Sequence, residues 1–166
     1  MNTHEVIDNF LPEETFVKLE QEIVWNNRFP WCLMGNVANK GEEESDLQNM
    51  QAVHHGYEGQ VPLTSLYNFC EELLRALNIK ALIRIKANFY PYTSKIFEHG
   101  QHYDYPFNHK GALLSLNTCN GFTRLEDSTK VLSKRNRLLL HNPSKLHNST
   151  TTTNAKGRFN ININYL

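Results

Sequence analysis

The sequence has 166 residues, of which 40% are hydrophobic, and this predicts one globular domain with a core of its own. Lys and Arg together number 17, as do Asp and Glu, so the whole chain carries no field that would attract nucleic acid or an anionic membrane. No apolar run approaches the roughly 20 residues of a membrane-spanning helix. We therefore expect neither nucleic acid nor a membrane among the partners.

The cysteines indicate a reducing environment. Cys32, Cys70 and Cys119 are widely spaced and odd in number, which is typical of reduced thiols in a cytosolic protein. A structural zinc site is disfavoured because there is no C-x-x-C pair. Residues 1–6 show neither the basic nor the apolar region of a signal peptide. We expect a cytoplasmic location.

The first half of the chain predicts two helices. A short strand over residues 4–8 precedes a helix that begins near Pro12, where Pro and two acids suit the first turn, and ends at 26–27. Residues 29–37 predict a short aromatic strand. Residues 62–78 predict the second helix, because apolar residues recur there at intervals of three and four.

A polar, acidic stretch at residues 38–49 separates these parts. It is either a solvated connection or a mobile cover over a site, and we take residues 38–60 as the candidate substrate cover. His54 and His55 within it are adjacent, so on a strand they point to opposite faces and do not readily bind one metal. We expect them to be structural or to face a substrate.

From residue 81 the pattern changes to short strands separated by turn residues. The predicted strands are 82–90, 95–98, 101–103, 111–117, 121–125, 130–132, 137–141, 146–148 and 157–165. Two helices followed by such strands predict an α+β, mainly β fold: a double-stranded β-helix (jelly-roll) barrel backed by two N-terminal helices. We expect one domain over residues 1–166, with helical support over about 1–80 and the jelly-roll core over about 81–166.

Two strands alternate strictly between apolar and polar residues. In 158–165 the polar face is Arg158, Asn160, Asn162 and Asn164, and in 83–90 it is Arg84, Lys86, Asn88 and Tyr90. One interpretation is an antiparallel sheet with a wet face. The other is a lumen for a polar, anionic ligand, with the apolar faces packed on the two helices.

The tripeptide His102-Tyr103-Asp104 offers two metal ligands. On an extended segment the first and third residues point to the same face, about 7 Å apart. Imidazole and carboxylate suit a divalent metal such as iron, and a second His from elsewhere would complete a facial triad with open coordination positions.

The C-terminal half resembles the Fe(II)/2-oxoglutarate-dependent dioxygenase superfamily, nearest its prolyl-4-hydroxylase-like branch. The resemblance runs from about residue 84 to 166 and depends on the order and spacing of several short motifs. These are Ala87-Asn88-Phe89-Tyr90-Pro91, His102-Tyr103-Asp104, the strands 111–117 and 121–125, the strand 136–140 before His147, and Arg158-Phe159-Asn160-Ile161.

The resemblance implies an enzyme, a dioxygenase, that hydroxylates a substrate C–H bond and converts 2-oxoglutarate and O2 into succinate and CO2. It implies that His102, Asp104 and His147 bind Fe(II) and that Arg158 binds the far carboxylate of 2-oxoglutarate. Tyr90 and Asn160 are the other expected cofactor-binding residues. The substrate expected by resemblance is a prolyl residue or another protein, peptide or amino-acid side chain.

Several alternatives stay open at this stage. Lys156 is a rival to Arg158, and His141 is a rival to His147. Ser115 stands where some relatives carry a Tyr that helps to bind 2-oxoglutarate. His99 and His109 flank the ligand motif, and we expect exposed loop residues there rather than groups that touch ligands or substrate. A metal-free jelly-roll binding module, or a cupin-like metal enzyme that does not use 2-oxoglutarate, are the rival classes.

Overall fold

The structure is a computed structural model, and it describes residues 4–35, 37 and 50–166. The helices are α1 (Glu13–Glu20), which continues as a wider π-helical turn over Gln21–Trp25, α2 (Leu66–Phe69) and α3 (Glu71–Ala76). The strands are β1 (His4–Asp8), β2 (Cys32–Met34), β3 (Gln51–Glu58), β4 (Val61–Pro62), β5 (Leu82–Pro91), β6 (Lys110–Ser115), β7 (Phe122–Leu125), β8 (Lys130–Leu132), β9 (Arg137–His141), β10 (His147–Ser149) and β11 (Gly157–Tyr165).

Two antiparallel sheets carry the fold. The larger has the strand order β1-β9-β6-β11-β5-β3-β2, with β4 paired to β3, and the smaller has the order β10-β7-β8. Residues of both sheets line one pocket, which therefore lies between them. The predicted mainly β, jelly-roll fold with helical support is confirmed. In addition, strands from the first 62 residues extend the larger sheet.

The core lies between the helices and one face of the larger sheet. Phe16, Ile23, Leu66 and Leu73 from the helical segments are buried there. They pack with the apolar faces of the central strands, which contribute Ile85, Ala87, Ala112, Leu114, Ile161 and Ile163. Burying this face fixes the register of β5 and β11, because a shift of one residue would place their polar residues in the core.

The opposite face of β5 and β11 is polar but largely buried. Arg158 pairs with Tyr90, Asn160 with Asn88, Asn162 with Lys86 and Asn164 with Arg84 across the two strands. All four β11 residues are buried, and three of them line the pocket between the sheets. The polar face therefore lines an enclosed pocket and is not the wet face of an open sheet.

Several predicted elements have different bounds. The second helix begins at Leu66 rather than 62, because Pro62 pairs with Tyr57 and the amide of Leu63 donates to the carbonyl of Gly56. It is interrupted at Cys70, whose φ of −87° and ψ of −2° form a turn. Leu63 and Phe69 are consequently exposed and do not contribute to the core as predicted.

The predicted strands at 95–98 and 101–103 are also wrong. Each segment makes one isolated bridge, Glu98 with Thr150 and His102 with His147, because the chain runs irregularly beside β10 instead of forming a ladder. The strand at 29–37 is reduced to β2. Most of the predicted substrate cover, residues 38–49, lies outside the described residues. Every helix in the described part of the chain is too short or too polar to span a membrane.

The core predicts the effect of truncating a buried leucine. Leu114→Ala should lower the free energy of unfolding by about 2–5 kcal/mol, because Leu114 is fully buried between β6 and the helices. The matched control is Leu132→Ala on β8, where the side chain is 52% exposed and the change should stay within about 0.5 kcal/mol. Urea unfolding measures both, and equal losses would contradict this placement of the core.

Candidate metal centre and its pocket

Backbone pairing brings the two histidines of the candidate centre together. His102 and His147 form an antiparallel bridge in which each amide N–H donates to the other's carbonyl at 2.9 Å. The amide of Asp104 donates to the carbonyl of Pro143, also at 2.9 Å, which fixes the segment two residues further on. Residues far apart in sequence are thus held side by side by main-chain hydrogen bonds.

Their side chains converge. One ligand atom from each of His102, Asp104 and His147 lies within 4.8 Å of the other two. The Nε2 atoms of His102 and His147 lie 3.9 and 4.0 Å from Oδ1 of Asp104. The Nδ1 atom of His147 bonds with the carbonyl of Lys145 at 3.0 Å, which requires Nδ1 to carry a proton and places Nε2 on the side of Asp104. This is the only cluster of this kind among the described residues.

Asp104 is held on both carboxylate oxygens. Oδ2 accepts hydrogen bonds from Nδ2 of Asn162 at 3.1 Å and of Asn164 at 2.8 Å, while Nη2 of Arg84 lies 3.0 Å from Oδ1. Burial alone would raise the pKa of Asp104, but Arg84, then His147 and the Asn164 amide, hold this pKa well below its usual range. Asp104 is therefore a fixed, ionised candidate ligand.

The first histidine is neutral at physiological pH. Burial, followed by the nearby charge of His147, lowers the pKa of His102 to about 4, even though Asp104 acts in the opposite direction. A neutral imidazole offers a lone pair to a metal without first losing a proton. Two imidazoles and one carboxylate are the donor set of a facial triad for a divalent transition metal.

A buried arginine lies in the same pocket. Arg158 is 1% exposed, and it donates from Nε to Ser133 Oγ at 2.8 Å and from Nη2 to Thr123 Oγ1 at 2.7 Å. Its Nη1 atom is buried without a hydrogen-bond partner, and among the described residues no carboxylate forms an ion pair with it. A buried guanidinium with an unused donor is costly in free energy unless an anion fills the space beside it.

Tyr90 and Gly121 complete the surroundings of Arg158. The guanidinium carbon lies 5.5 Å from the centre of the Tyr90 ring. Burial raises the pKa of Tyr90, so its phenol keeps its proton and can donate a hydrogen bond. A Cβ at Gly121 would lie 2.8 Å from Cδ of Arg158, so glycine leaves room for the arginine stem.

Of the remaining predicted residues, some line this pocket and others lie outside it. His141 lines it, but lies outside the three-residue cluster; its ring centre is 5.3 Å from that of His147. Lys156 is exposed and lines a different surface, whereas Asn160 is buried, lines the pocket and accepts from Nδ2 of Asn88 at 2.9 Å. Ser115 on β6 pairs with Asn160 on β11.

The expectation that His99 and His109 are exposed is wrong. They are 2% and 4% exposed, because His99 bonds with Ser149 Oγ at 2.9 Å and His109 accepts at Nε2 from Asn164 at 3.1 Å. His109 therefore reaches Asp104 through Asn164. His54 and His55 point to opposite faces as expected: His54 bonds with Thr64 Oγ1 at 2.8 Å, and His55 lies 2.9 Å from Glu58 beside the pocket.

Sequence reasoning did not assign roles to the groups that hold the ligands in place. These are Arg84, Asn162 and Asn164 around Asp104, and Thr123 and Ser133 around Arg158. The alternating polar face of β5 and β11 was the available signal for the first three. The contacts of Thr123 and Ser133 have no signal in the sequence, because they depend on the packing of the small sheet against β11.

The sequence matches no protein-family model and no curated protein. Solved structures are similar over nearly the whole chain. A prolyl hydroxylase from Trichoplax adhaerens, in complex with a hypoxia inducible factor oxygen degradation domain peptide fragment, aligns with a TM-score of 0.71 and 16% identity over 100% of this chain and 84% of its own. The viral collagen prolyl hydroxylase of Paramecium Bursaria Chlorella virus-1, in complex with 2-oxoglutarate, aligns with a TM-score of 0.63 and 14% identity over 99% of this chain and 97% of its own.

A third solved structure is also similar over nearly the whole chain. HygX from Streptomyces hygroscopicus, with nickel and 2-oxoglutarate bound, aligns with a TM-score of 0.62 and 11% identity over 98% of this chain and 82% of its own. At these identities the likeness establishes the fold. The chain has the jelly-roll fold of the Fe(II)/2-oxoglutarate oxygenases, including their prolyl-hydroxylase branch.

The ion pair of Asp104 predicts a pH-dependent stability in metal-free protein. Asp104→Asn should lower the free energy of unfolding by about 3–5 kcal/mol at pH 7, because Arg84 loses its buried counter-charge. Folding lowers the pKa of this carboxyl, so its contribution is present above the unfolded pKa of about 4 and is lost as the pH falls further. The difference between wild type and variant should therefore shrink below about pH 4.

Urea unfolding in the presence of a chelator, at pH 7, 5, 4 and 3, measures this difference. Glu126→Gln is the control, since this carboxyl is exposed and forms no buried ion pair. A difference that stays constant over the whole range would show that the Asp104 charge does not stabilise the fold.

Proposed function

We propose that this protein is an Fe(II)- and 2-oxoglutarate-dependent dioxygenase that hydroxylates a substrate C–H bond. One observation carries the proposal: a single buried pocket contains two imidazoles and a carboxylate in contact, together with a buried arginine that lacks an anion. A metal-free binding module does not require the three ligands to converge. A cupin-like enzyme without 2-oxoglutarate has no use for the arginine.

The metal ligands would be His102, Asp104 and His147. Their donor atoms suit a divalent transition metal such as Fe(II) and leave coordination positions free. Asn162 and Asn164 occupy Oδ2 of Asp104, which leaves Oδ1, the oxygen nearer both imidazoles, as the ligand atom. Groups that orient a ligand in this way commonly govern metal affinity.

Arg158 would bind the far carboxylate of 2-oxoglutarate. Its free Nη1 donor can contribute to a bidentate, charge-assisted contact, and the hydroxyls of Thr123 and Tyr90 lie beside it in the pocket. Arg158 and Asn162 are four residues apart on β11, about 13 Å along the strand. The guanidinium and the candidate metal ligands therefore lie at different points of the same pocket.

When bound, the iron and 2-oxoglutarate supply the oxidising chemistry, in which O2 is consumed and succinate and CO2 are released. The protein supplies position and charge. Arg158 fixes the far end of the cosubstrate, Tyr90 donates a hydrogen bond, and Asp104 remains ionised because Arg84 and two amides stabilise its charge. The pocket lies between the two sheets, on the side of the larger sheet that faces away from the helices.

The substrate proposed first is a prolyl residue or another side chain of a protein, peptide or amino acid. This rests on the fold shared with prolyl hydroxylases, one of them in complex with a peptide fragment. Val37 and Gln51 line the pocket, and Gln51 belongs to the stretch 38–60 that was proposed from sequence as a substrate cover. We propose that residues 1–166 act as one oxygenase domain.

The test is an anaerobic titration of the protein with Fe(II) and then 2-oxoglutarate. We expect the weak visible charge-transfer band of a chelated iron–oxoacid complex. His102→Ala should abolish the band, because it removes a metal ligand. Arg158→Met should keep it but weaken 2-oxoglutarate binding at least about tenfold, the effect of losing a hydrogen bond between charged groups.

Lys156→Met is the matched control, because this exposed cation lies two residues from Arg158 and should not affect the titration. Circular dichroism checks the folding of each variant, and Arg158→Lys retains the charge if Arg158→Met does not fold. The absence of a band in the wild type at millimolar 2-oxoglutarate would refute the proposed function.

A further inference from the structure

The pocket contains a second cation beside the candidate metal centre. Lys86 lies on β5 between Asn162 of β11 on one side and His55 of β3 on the other. It faces the lumen and lines the same pocket as the three candidate ligands. It is two residues from Arg84, and its partner Asn162 is four residues from Arg158 on β11.

Lys86 differs from its neighbour in having no partner. Arg84 forms an ion pair with Asp104, whereas within residues 4–35, 37 and 50–166 Lys86 makes neither a hydrogen bond nor an ion pair. Burial, and then repulsion by Arg84, lower the pKa of Lys86 to about 8, although the charges of Asp104 and Glu58 act in the opposite direction, so the ammonium remains mostly charged at neutral pH. A partly buried charge without a counter-ion is unfavourable, and an anion in the pocket would compensate it.

The net charge of the pocket with a metal and 2-oxoglutarate bound would also favour an anion. A divalent metal and 2-oxoglutarate cancel each other, and Arg84 offsets Asp104. Arg158 then leaves one positive charge in excess, and Lys86 adds a second. The described residues that line the pocket include no carboxylate besides Asp104 to neutralise these charges. A pocket with this excess favours an anionic substrate over a neutral or cationic one.

An unused acceptor lies opposite Lys86. Nδ2 of Asn162 donates to the Asp104 carboxylate, which can only accept, so the orientation of this amide is fixed. Its Oδ1 atom is buried and has no hydrogen-bond partner. The wall beside the metal centre therefore presents one cationic donor and one amide acceptor on paired residues.

We propose that the substrate carries a carboxylate close to the C–H bond that is hydroxylated, that Lys86 binds this carboxylate, and that Asn162 Oδ1 accepts from an adjacent N–H or O–H. An amino acid or a hydroxy acid has this arrangement, and so does an acidic residue in a peptide. This inference rests on the proposed function and narrows its substrate class. Lys86 determines substrate specificity and does not contact the cosubstrate.

The experiment measures binding to the anaerobic Fe(II)–2-oxoglutarate complex through changes in its visible band. One arm compares each protein amino acid with its carboxamide, and another compares acetylated tripeptide amides that have Asp or Asn at the centre. We expect at least one carboxylate to bind at least tenfold more tightly than its amide. Lys86→Met should weaken that binding about 10- to 100-fold, as for one charge-assisted hydrogen bond, and Lys86→Arg should weaken it less.

The two sets of compounds distinguish a free acid from a peptide side chain. The control variants distinguish a failure of this inference from a failure of the proposed function. Lys86→Met should bind 2-oxoglutarate like the wild type, and Lys95→Met, an exposed lysine, should change nothing. Any of four results would overturn the inference. The acid and its amide could bind equally well, or no carboxylate could bind in either arm. Lys86→Met could leave the affinity for the carboxylate unchanged, or could lose 2-oxoglutarate binding. The comparison of acid with amide needs no variant. A missing band in the wild type refutes the proposed function and this inference with it.

Discussion

The pairing of β5 with β11 is the constraint on which the rest of the structure depends. Because both strands alternate strictly, one register places every apolar residue against the helices and every polar residue in the lumen. The same register aligns Arg158 with Tyr90 and Asn164 with Arg84 at opposite ends of the polar face. Hydrophobic burial on one side thus positions a charged site on the other, and a shift of one residue would destroy both.

A buried polar face is costly unless its groups have partners, and the partners here are largely one another. Asn162, Asn164 and Arg84 surround Asp104, while Thr123 and Ser133 hold Arg158. Several buried groups lack hydrogen-bond partners, among them Arg158 Nη1 and Asn162 Oδ1, and the ammonium of Lys86 is likewise unpaired among the described residues. We interpret these as the contacts that cosubstrate and substrate would complete, since unsatisfied buried polar groups are otherwise rare in folded proteins.

Much of the fold and the convergence of His102, Asp104 and His147 could be predicted from sequence because both have local signals. Strict alternation predicted β11 and most of β5, and the His-x-Asp motif with the spacing of the later strands predicted the cluster. Interactions between distant residues could not be predicted. The helix at 62–78 is divided because Pro62 pairs with β3, and His109 is buried because Asn164, 55 residues later, bonds with it. Periodicity cannot reveal such partners, nor whether a polar face is wet or enclosed.

We propose that one lumen holds a metal at one point and a dicarboxylate between that metal and Arg158. An anaerobic crystal structure with Mn(II) and 2-oxoglutarate would test this arrangement. We expect the metal on His102, Asp104 and His147, with the far carboxylate of 2-oxoglutarate on the guanidinium of Arg158 and Lys86 free of both. A metal bound elsewhere, or a cosubstrate carboxylate on Lys86 with Arg158 uninvolved, would contradict it.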